Sequence, residues 1–256
     1  MIHAQALVDP GATLAAGVGI GPFSVIGPDV SIEAGTVIGP HVVINGPTRI
    51  GRDNRIYQFA SIGEAPQDKK YAGEPTELVI GDGNTIREGV TIHRGTVQDR
   101  ARTLIGDDNW IMAYVHIAHD CDVGSHTILA NNTALAGHVR VGDHAILGGF
   151  TLVHQFCAIG AHAFTAFGSV IGKDVPPFMM VSGHPARVHG LNSEGLKRRS
   201  FSADSLRALK QAYRTLYRSG LPLEQALVQL QTEQGGNAQV QALIAFLQQQ
   251  TRGIVR

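Results

Sequence analysis

Aliphatic residues recur at every sixth position from the start of the chain: Ile2, Val8, Leu14, Ile20, Ile26, Ile32, Ile38, Ile44, Ile50, Ile56 and Ile62. The register breaks at residues 63–79 and resumes at Ile80, Ile86 and Ile92. One extra residue enters between 93 and 104, and a new register runs from Ile105 to Ile171 with Thr165 as its single non-aliphatic member. A period of six fits neither an amphipathic helix nor a long alternating strand. It predicts short strands joined by tight turns, with the aliphatic side chain pointing inward. The residue two positions earlier is small, as at Ser24, Thr36, Thr48, Ala60 and Thr127, and shares that interior. Glycine often follows the aliphatic residue and is expected to take turn angles that a Cβ disfavours. One hexad cannot bury its own apolar residue. The units must therefore stack, each coil adding a strand about 4.8 Å above the last.

Three hexads make a triangular coil of 18 residues, and His126, His144 and His162, spaced by 18, fall in one column. Cys121 and Cys157 sit two coils apart, about 9–10 Å, beyond the ~7 Å Cα separation that a disulfide bridges. The repeats predict an all-β solenoid roughly 40 Å tall over residues 1–184. Past that point the hexads stop. Ser202 can cap a helix carrying Leu206, Leu209, Ala212, Tyr213, Leu216 and Tyr217 at helical spacing, with Gly220 as its stop. Two further helical stretches, LEQALVQLQTEQ and AQVQALIAFLQQQ, complete a small C-terminal helical domain at 185–256, too short to be robust without packing on the prism or a neighbour.

Composition narrows the function classes. With 43% hydrophobic and 16% charged residues the chain is globular rather than disordered. No stretch approaches the roughly 18–20 apolar residues of a spanning helix, and the N-terminus lacks the basic-then-apolar pattern of a secretory signal. The expectation is a cytoplasmic protein without membrane insertion. Net charge is zero overall, but residues 1–186 hold 11 basic and 17 acidic groups while residues 187–256 hold 10 and 4. A basic helical end suits an anionic partner. It lacks the aromatic platform or reading motif that would point to nucleic acid.

The candidate chemistry lies in histidines and in broken registers. Seven of the 12 histidines fall between 116 and 162. In 115-VHIAHDCDVG-124, His119 beside Asp120 could be oriented by that carboxylate and accept a proton near neutral pH. Histidines on adjacent coils could instead bind zinc, and the 126/144/162 column is expected to stack in solvent. The insertion at 63–79, with Gln67, Asp68, Lys69, Lys70 and Tyr71, stands on a scaffold that does not need it, which is where long loops carry function. No serine or cysteine shows a nucleophile motif, so Cys121 and Cys157 are read as packing residues.

The stretches 52-RDNRIYQFASIGEAPQDKKYAGEPT-76, 91-TIHRGTVQ-98, 116-HIAHDCDVG-124, 129-LANNTALAGHV-139, 153-VHQFCAIGAH-162, 192-NSEGLKRRSF-201 and the terminal TRGIVR are more specific than generic hexads. Through them the chain resembles the UDP-N-acetylglucosamine O-acyltransferases of lipid A biosynthesis, a hexapeptide-repeat acyltransferase family. The resemblance implies a left-handed parallel β-helix and a homotrimer with sites between neighbouring prisms. It implies transfer of an (R)-3-hydroxyacyl group from acyl carrier protein to the glucosamine 3-hydroxyl of UDP-N-acetylglucosamine, with no metal and no cofactor beyond the carrier's phosphopantetheine arm. His119 matches the family's general base, Asp120 its orienting partner, and the Gly137 N–H its oxyanion donor. Asp68, Lys70, His116, His138, His154 and Gln155 match sugar and diphosphate contacts. Asn192, Glu194 and Arg199 match nucleotide contacts, and Arg198 with nearby bases would face the acidic carrier. Phe164 and Phe167 lie in the segment that closes the acyl groove, and the bulk of Phe167 implies a chain near ten carbons.

One departure stands out. In 183-GHPA-186, Pro185 occupies a position where the family leads one to expect histidine, and no site role is assigned there. A 3-amino sugar would fit the same general base as the hydroxyl. A zinc hydratase on the same scaffold and a non-catalytic binding prism are the competing readings.

Overall fold

The six-residue period becomes three flat faces. A computed structural model describes residues 1–250 and 252–256. The first face holds nine parallel strands, from Leu7–Val8 to Val170–Ile171, and the second eight, from Thr13–Leu14 to Ala158–Ile159. The third begins at Gly19–Ile20 and ends with Met179–Gly183, on which Ala186–Leu191 adds antiparallel as its tenth strand. Chain order visits the faces in rotation, so each strand pairs with the one a full coil later. His116 and Ile117 lie beside Ala134 and Leu135, eighteen residues on. The architecture is the expected parallel β-helix with helices at its C-terminal end.

The repeat aliphatics fill the prism: Ile26, Ile44, Ile62, Ile92, Ile117 and Leu135 are all at most 1% exposed. The small residues expected inside, Ser24, Thr36, Thr48, Ala60 and Thr127, are buried there too. Their hydroxyls close backbone gaps that a methyl group could not, as where Ser24 Oγ donates to the Gly39 carbonyl at 2.7 Å and accepts the Val42 N–H at 3.1 Å. A buried asparagine ladder does the same along the edge between the second and third faces. Asn54 Oδ1 accepts the Asn84 N–H, Asn84 Oδ1 the Asn109 N–H, and Asn109 Oδ1 the Thr127 N–H, at 2.9, 2.9 and 2.8 Å. Each amide replaces a backbone partner that the turn removes.

The glycine expectation needs correcting. Of the glycines after a repeat aliphatic, Gly63 has a positive φ (75°), whereas Gly21, Gly39, Gly81 and Gly142 do not. They are required by close approach: a Cβ on Gly21 would lie 2.7 Å from the Gly39 carbonyl carbon, and one on Gly142 2.6 Å from the Ala161 nitrogen. The left-handed corner positions are instead taken by Asp, His, Asn and aromatic residues, such as Asp120 (φ 59°), His138 (62°) and Phe156 (67°). Asp, Asn and His tolerate this region better than most. Rings there stack on rings one coil away, as His138 does on Phe156 at 4.5 Å, which offsets the backbone cost.

The second register break is also larger than one residue. Ile92 and Ile105 occupy consecutive faces, so residues 94–101 form a complete inserted loop between Thr91–His93 and Arg102–Ile105. Counting modulo six conceals an insertion of seven as an insertion of one.

Beyond the hairpin come α1 (Ser193–Arg198), α2 (Ala203–Arg218), α3 (Leu223–Gln234) and α4 (Ala238–Gln249). The last three are the helices the sequence predicts, and Ser202 caps α2 by accepting the Ser205 N–H. The hairpin and the short α1 lack a periodic signal. Leu209 and Leu216 of α2, Leu230 of α3 and Leu243 of α4 join one apolar cluster continuous with the prism. The chain end then returns to the prism base, where Asp174 pairs with Ile254. Among the described residues no helix is long and apolar enough to cross a membrane.

Candidate active site

Both insertions leave the prism along one edge, between the first and second faces. The loop 65–76 joins Ser61–Glu64 to Glu77–Ile80, and 94–101 joins the corresponding strands one coil further on. Arg94 ties the two loops together. Its Nη1 donates to the carbonyls of Gly46 and Gly63 at 2.9 and 2.6 Å, and its Nη2 to the Tyr71 hydroxyl at 3.3 Å. His119, Asp120, Gly137, His138, His154 and Gln155 occupy the turns of the same edge.

His119 Nδ1 lies 2.8 Å from Asp120 Oδ2. A carboxylate at that distance assigns the proton to Nδ1 and leaves Nε2 with its lone pair. Asp120 is itself fixed: its carboxylate accepts the Thr96 N–H at 2.9 and 3.1 Å and the Thr96 hydroxyl at 2.6 Å. Burial alone would raise the Asp120 pKa, but the hydrogen bonds from His119 and Thr96 outweigh it and hold the carboxyl below its ordinary range. The loop 94–101 therefore supplies the clamp on the orienting carboxylate. It also supplies Asp99, 2.9 Å from His138 Nδ1, and Arg100, paired to Asp122 at 2.8 Å. Arg94 and Thr96 fall within the stretch 91–98 that carries the resemblance, yet like Asp99 they have no assigned role in the sequence reading; the register break marks the loop without saying what it holds.

Gly137 lies directly against the imidazole. A Cβ there would sit 2.6 Å from His119 Cε1 and 2.7 Å from Nε2. Its N–H, like those of His119 and Gln155, stays outside the coil-to-coil ladder, and Gly137 is buried. A buried amide donor with no acceptor among the described residues, adjoining an imidazole nitrogen, suits a developing oxyanion. His138 stands edge-on to His119 with ring centroids 5.1 Å apart. His116 projects from the first face and shares a 2.8 Å hydrogen bond with Thr91 Oγ1. Burial, then the neighbouring His93 and His119, push its pKa down, which favours a neutral imidazole.

The donor atoms of His119, Asp120 and His138 lie within 4.8 Å of one another. That spacing alone would admit a cation, but Asp120 Oδ2 already receives His119 and the Thr96 hydroxyl, and His138 Nδ1 is engaged by Asp99. These hydrogen bonds engage Nδ1 of both histidines and Oδ2 of Asp120, and leave Nε2 of His119 unengaged among the described residues. The thiols are inert: burial raises Cys121 to about 12 and Cys157 to about 11.

Asp68 and Lys70 stand on the inserted loop, where Asp68 Oδ1 accepts the Lys70 N–H at 2.9 Å, and the Lys70 side chain is exposed. His154 Nδ1 is turned to the Gln155 carbonyl at 3.1 Å. The remaining expected residues are elsewhere. Asn192, Glu194, Arg198 and Arg199 belong to or flank α1, which docks on the edge between the second and third faces. There Asn192 Nδ2 donates to the His162 carbonyl at 3.0 Å. Glu194 is held by Lys197 at 2.9 Å, and Arg198 is exposed. Phe164 is half-buried on the third face, and Phe167, 74% exposed, projects from the edge between the third and first faces, edge-on to Phe150 at 5.4 Å. One chain thus divides the expected site among three edges.

The His126/His144/His162 column is stacked as expected, with centroids 4.8 Å apart at each step. Only His126 is exposed; His144 and His162 are half-buried, contrary to the expectation of a stack in solvent. Burial, then His144 and Arg199, bring the His162 pKa from 6.5 to about 4. A histidine depressed in the folded state takes up a proton on unfolding, so its contribution is absent above pH 6.5 and destabilises progressively from there toward pH 4. The thermal midpoint is expected to fall over this interval, and His162→Phe should flatten that slope. Parallel slopes for the two proteins would refute the assignment.

The sequence agrees with known proteins along its whole length. A family model described as UDP N-acetylglucosamine O-acyltransferase, domain 2, matches residues 174–255, and a hexapeptide-transferase model matches 11–46 and 102–137. The acyl-[acyl-carrier-protein]–UDP-N-acetylglucosamine O-acyltransferase of Halorhodospira halophila is 64% identical over 255 residues, covering 100% of this chain and 99% of that protein. The protein of the same name from Thiobacillus denitrificans is 62% identical at the same coverage. The crystal structure of UDP-N-acetylglucosamine O-acyltransferase from Moraxella catarrhalis superposes with a TM-score of 0.98 at 50% identity, covering 100% of this chain and 99% of that one. With relatives 62–64% identical over its whole length and a solved structure superposing at a TM-score of 0.98, the chain belongs to the UDP-N-acetylglucosamine O-acyltransferases.

Proposed function

We propose that this enzyme transfers an (R)-3-hydroxyacyl group from acyl carrier protein to the glucosamine 3-hydroxyl of UDP-N-acetylglucosamine, the first step of lipid A biosynthesis, in the cytoplasm. The observation that carries the mechanism is the 2.8 Å contact between His119 Nδ1 and Asp120, which leaves Nε2 free beside Gly137. Nε2 takes the proton of the sugar hydroxyl as that oxygen forms a bond to the thioester carbonyl carbon. The Gly137 N–H donates to the oxyanion. Collapse breaks the carbon–sulfur bond, and the imidazolium returns its proton to the departing pantetheine thiolate. General-base assistance of this kind supplies roughly 10²–10⁴ in rate, and one oxyanion donor about 3 kcal/mol. The step needs no acyl-enzyme, metal or further cofactor.

Sugar and diphosphate binding fall to Asp68, Lys70, His116, His138, His154 and Gln155. Asn192, Glu194 and Arg199 would bind the nucleotide, and Arg198 would meet the acidic carrier. Because these groups stand on different edges of one prism, a complete site requires a neighbouring copy. Exposed apolar residues support the packing: Leu7, Val25 and Leu152 on the first face and Val37 and Trp110 on the third, while the second presents Arg49, Asp122 and Arg140. A homotrimer in which the first face of each copy meets the third face of the next brings the histidine edge of one beside α1 of another.

Incubation with UDP-N-acetylglucosamine and 3-hydroxyacyl carriers, read by product mass, tests the activity. No acylated nucleotide sugar, together with stoichiometric zinc in the purified protein, would favour a hydratase. Phe167 is expected to limit the acyl groove to about ten carbons, each further buried CH₂ being worth about 0.8 kcal/mol where it fits. Phe167→Gly should move the preference toward fourteen. A parent enzyme that already prefers fourteen-carbon carriers refutes the assignment.

A further inference from the structure

The histidine column and α1 meet at one corner. His126, His144, His162 and Phe178 all adopt left-handed backbone angles, φ 58–69°, and their rings form a continuous stack. The lower step, His162 to Phe178, spans 5.6 Å at an interplanar angle of 15°. The segment that follows is pinned to the bottom of this stack at both ends. At its start the Asn192 N–H donates to the Phe178 carbonyl at 2.8 Å and its Nδ2 to the His162 carbonyl at 3.0 Å. At its end Phe201 stands edge-on to His162 at 5.0 Å and to Phe178 at 6.0 Å. Between these anchors lie α1 and Arg199. The His162 ring is therefore covered by His144 above, Phe178 below and Phe201 at its side.

Arg199 is partly buried, and no carboxylate lies within ion-pairing distance of it among the described residues. Its charge disfavours protonation of both rings, after burial at His144 and after burial and His144 at His162. The Nδ1 atoms of both rings are buried without a hydrogen-bond partner. Asp143 works in the opposite sense on both rings, and Asp108 lies 3.7 Å from His126 at the exposed end of the stack. A half-buried guanidinium with no carboxylate partner among the described residues is left to an external anion, where a paired one would not be.

We infer that His162, backed by His144, is a positioning residue for substrate: the stack sets the height of the 192–201 segment and holds Arg199 unpaired toward the phosphates of the nucleotide sugar. The inference rests on the nucleotide role proposed above for Arg199. Neither imidazole touches the reacting atoms, so the effect must appear in substrate binding and not in the chemical step. Phenylalanine at 162 should preserve it, because Phe178 already occupies the same column with the same backbone angle.

The test is UDP binding by calorimetry to the intact protein, with KM for UDP-N-acetylglucosamine and kcat measured in parallel. His162→Ala is expected to weaken UDP binding and raise KM by about tenfold or more, the scale on which a displaced positioning group acts, with kcat within about threefold. His162→Phe should restore affinity to within about threefold of the parent. In an Arg199→Ala background, His162→Ala should have no further effect, because both act through one guanidinium. Unchanged affinity in His162→Ala, or losses that add in the double variant, would overturn the inference while leaving the nucleotide role standing. Unchanged affinity in Arg199→Ala would overturn both. Circular dichroism and oligomer mass accompany each variant, and a His162→Ala protein that misfolds is replaced by His162→Leu under the same criteria.

Discussion

Replacing His119 with alanine is expected to lower the acyl-transfer rate by roughly 10²–10⁴, the share a positioned general base contributes, with KM for the nucleotide sugar nearly unchanged. Only Nε2 of His119 combines a free lone pair with contact to Gly137, and the other histidines of the edge are committed differently. His138 is held by Asp99, His116 shares a hydrogen bond with Thr91, and His154 turns to a carbonyl. Asp120→Asn should approach the same loss by another route. An amide at this position keeps the volume, but its nitrogen presents protons where His119 Nδ1–H and the Thr96 hydroxyl now donate. The tautomer that frees Nε2 loses its reason to dominate. Single-turnover assays separate these effects from binding. A His119→Ala rate within threefold of the parent would remove His119 from the mechanism, whatever the state of the remaining edge.

The prism was legible because its signal is covalent in spacing: an aliphatic at every sixth position admits one inward direction per strand, and thirds of a coil follow. The three long helices were legible from ordinary apolar periodicity and the Ser202 cap. What periodicity could not convey was anything that interrupts it. The loop 94–101 shifts the register by one modulo six, so nothing in the spacing tells that Thr96 and Asp99 hold Asp120 and His138. The hairpin from Met179 to Leu191 and the six-residue α1 are too short to show a period. The glycines are ambiguous for a related reason. Close approach between coils and a left-handed turn leave the same mark in sequence, and only the position of the next coil's backbone separates them. The site residues reached through resemblance fall on three edges of one prism, an arrangement that spacing along the chain cannot reveal.

Gly137→Ala offers the sharpest geometric test, with an expected loss in kcat on the order of a hundredfold. The backbone at 137 has no positive φ, so alanine brings no conformational penalty of its own. The added Cβ would nevertheless sit 2.6 Å from His119 Cε1 and 2.7 Å from Nε2, and carbon atoms do not settle closer than about 3.5 Å. The ring must move by roughly 1 Å, a displacement that costs about 10² in a positioned reaction. His119 cannot move freely, because Asp120 is clamped by Thr96 and would have to break a 2.8 Å hydrogen bond or follow it. Gly172→Ala is the control: like Gly137 it lacks a positive φ, and its Cβ would meet nothing within 4 Å. Gly137→Ala should lower the thermal midpoint by several degrees relative to Gly172→Ala, equivalent to about 1–3 kcal/mol for a forced shift in a packed site, while their kcat values differ by the full hundredfold. If Gly137→Ala keeps full activity, the imidazole has room that the present geometry denies it, and neither the buried amide nor Nε2 stands where the proposed reaction requires.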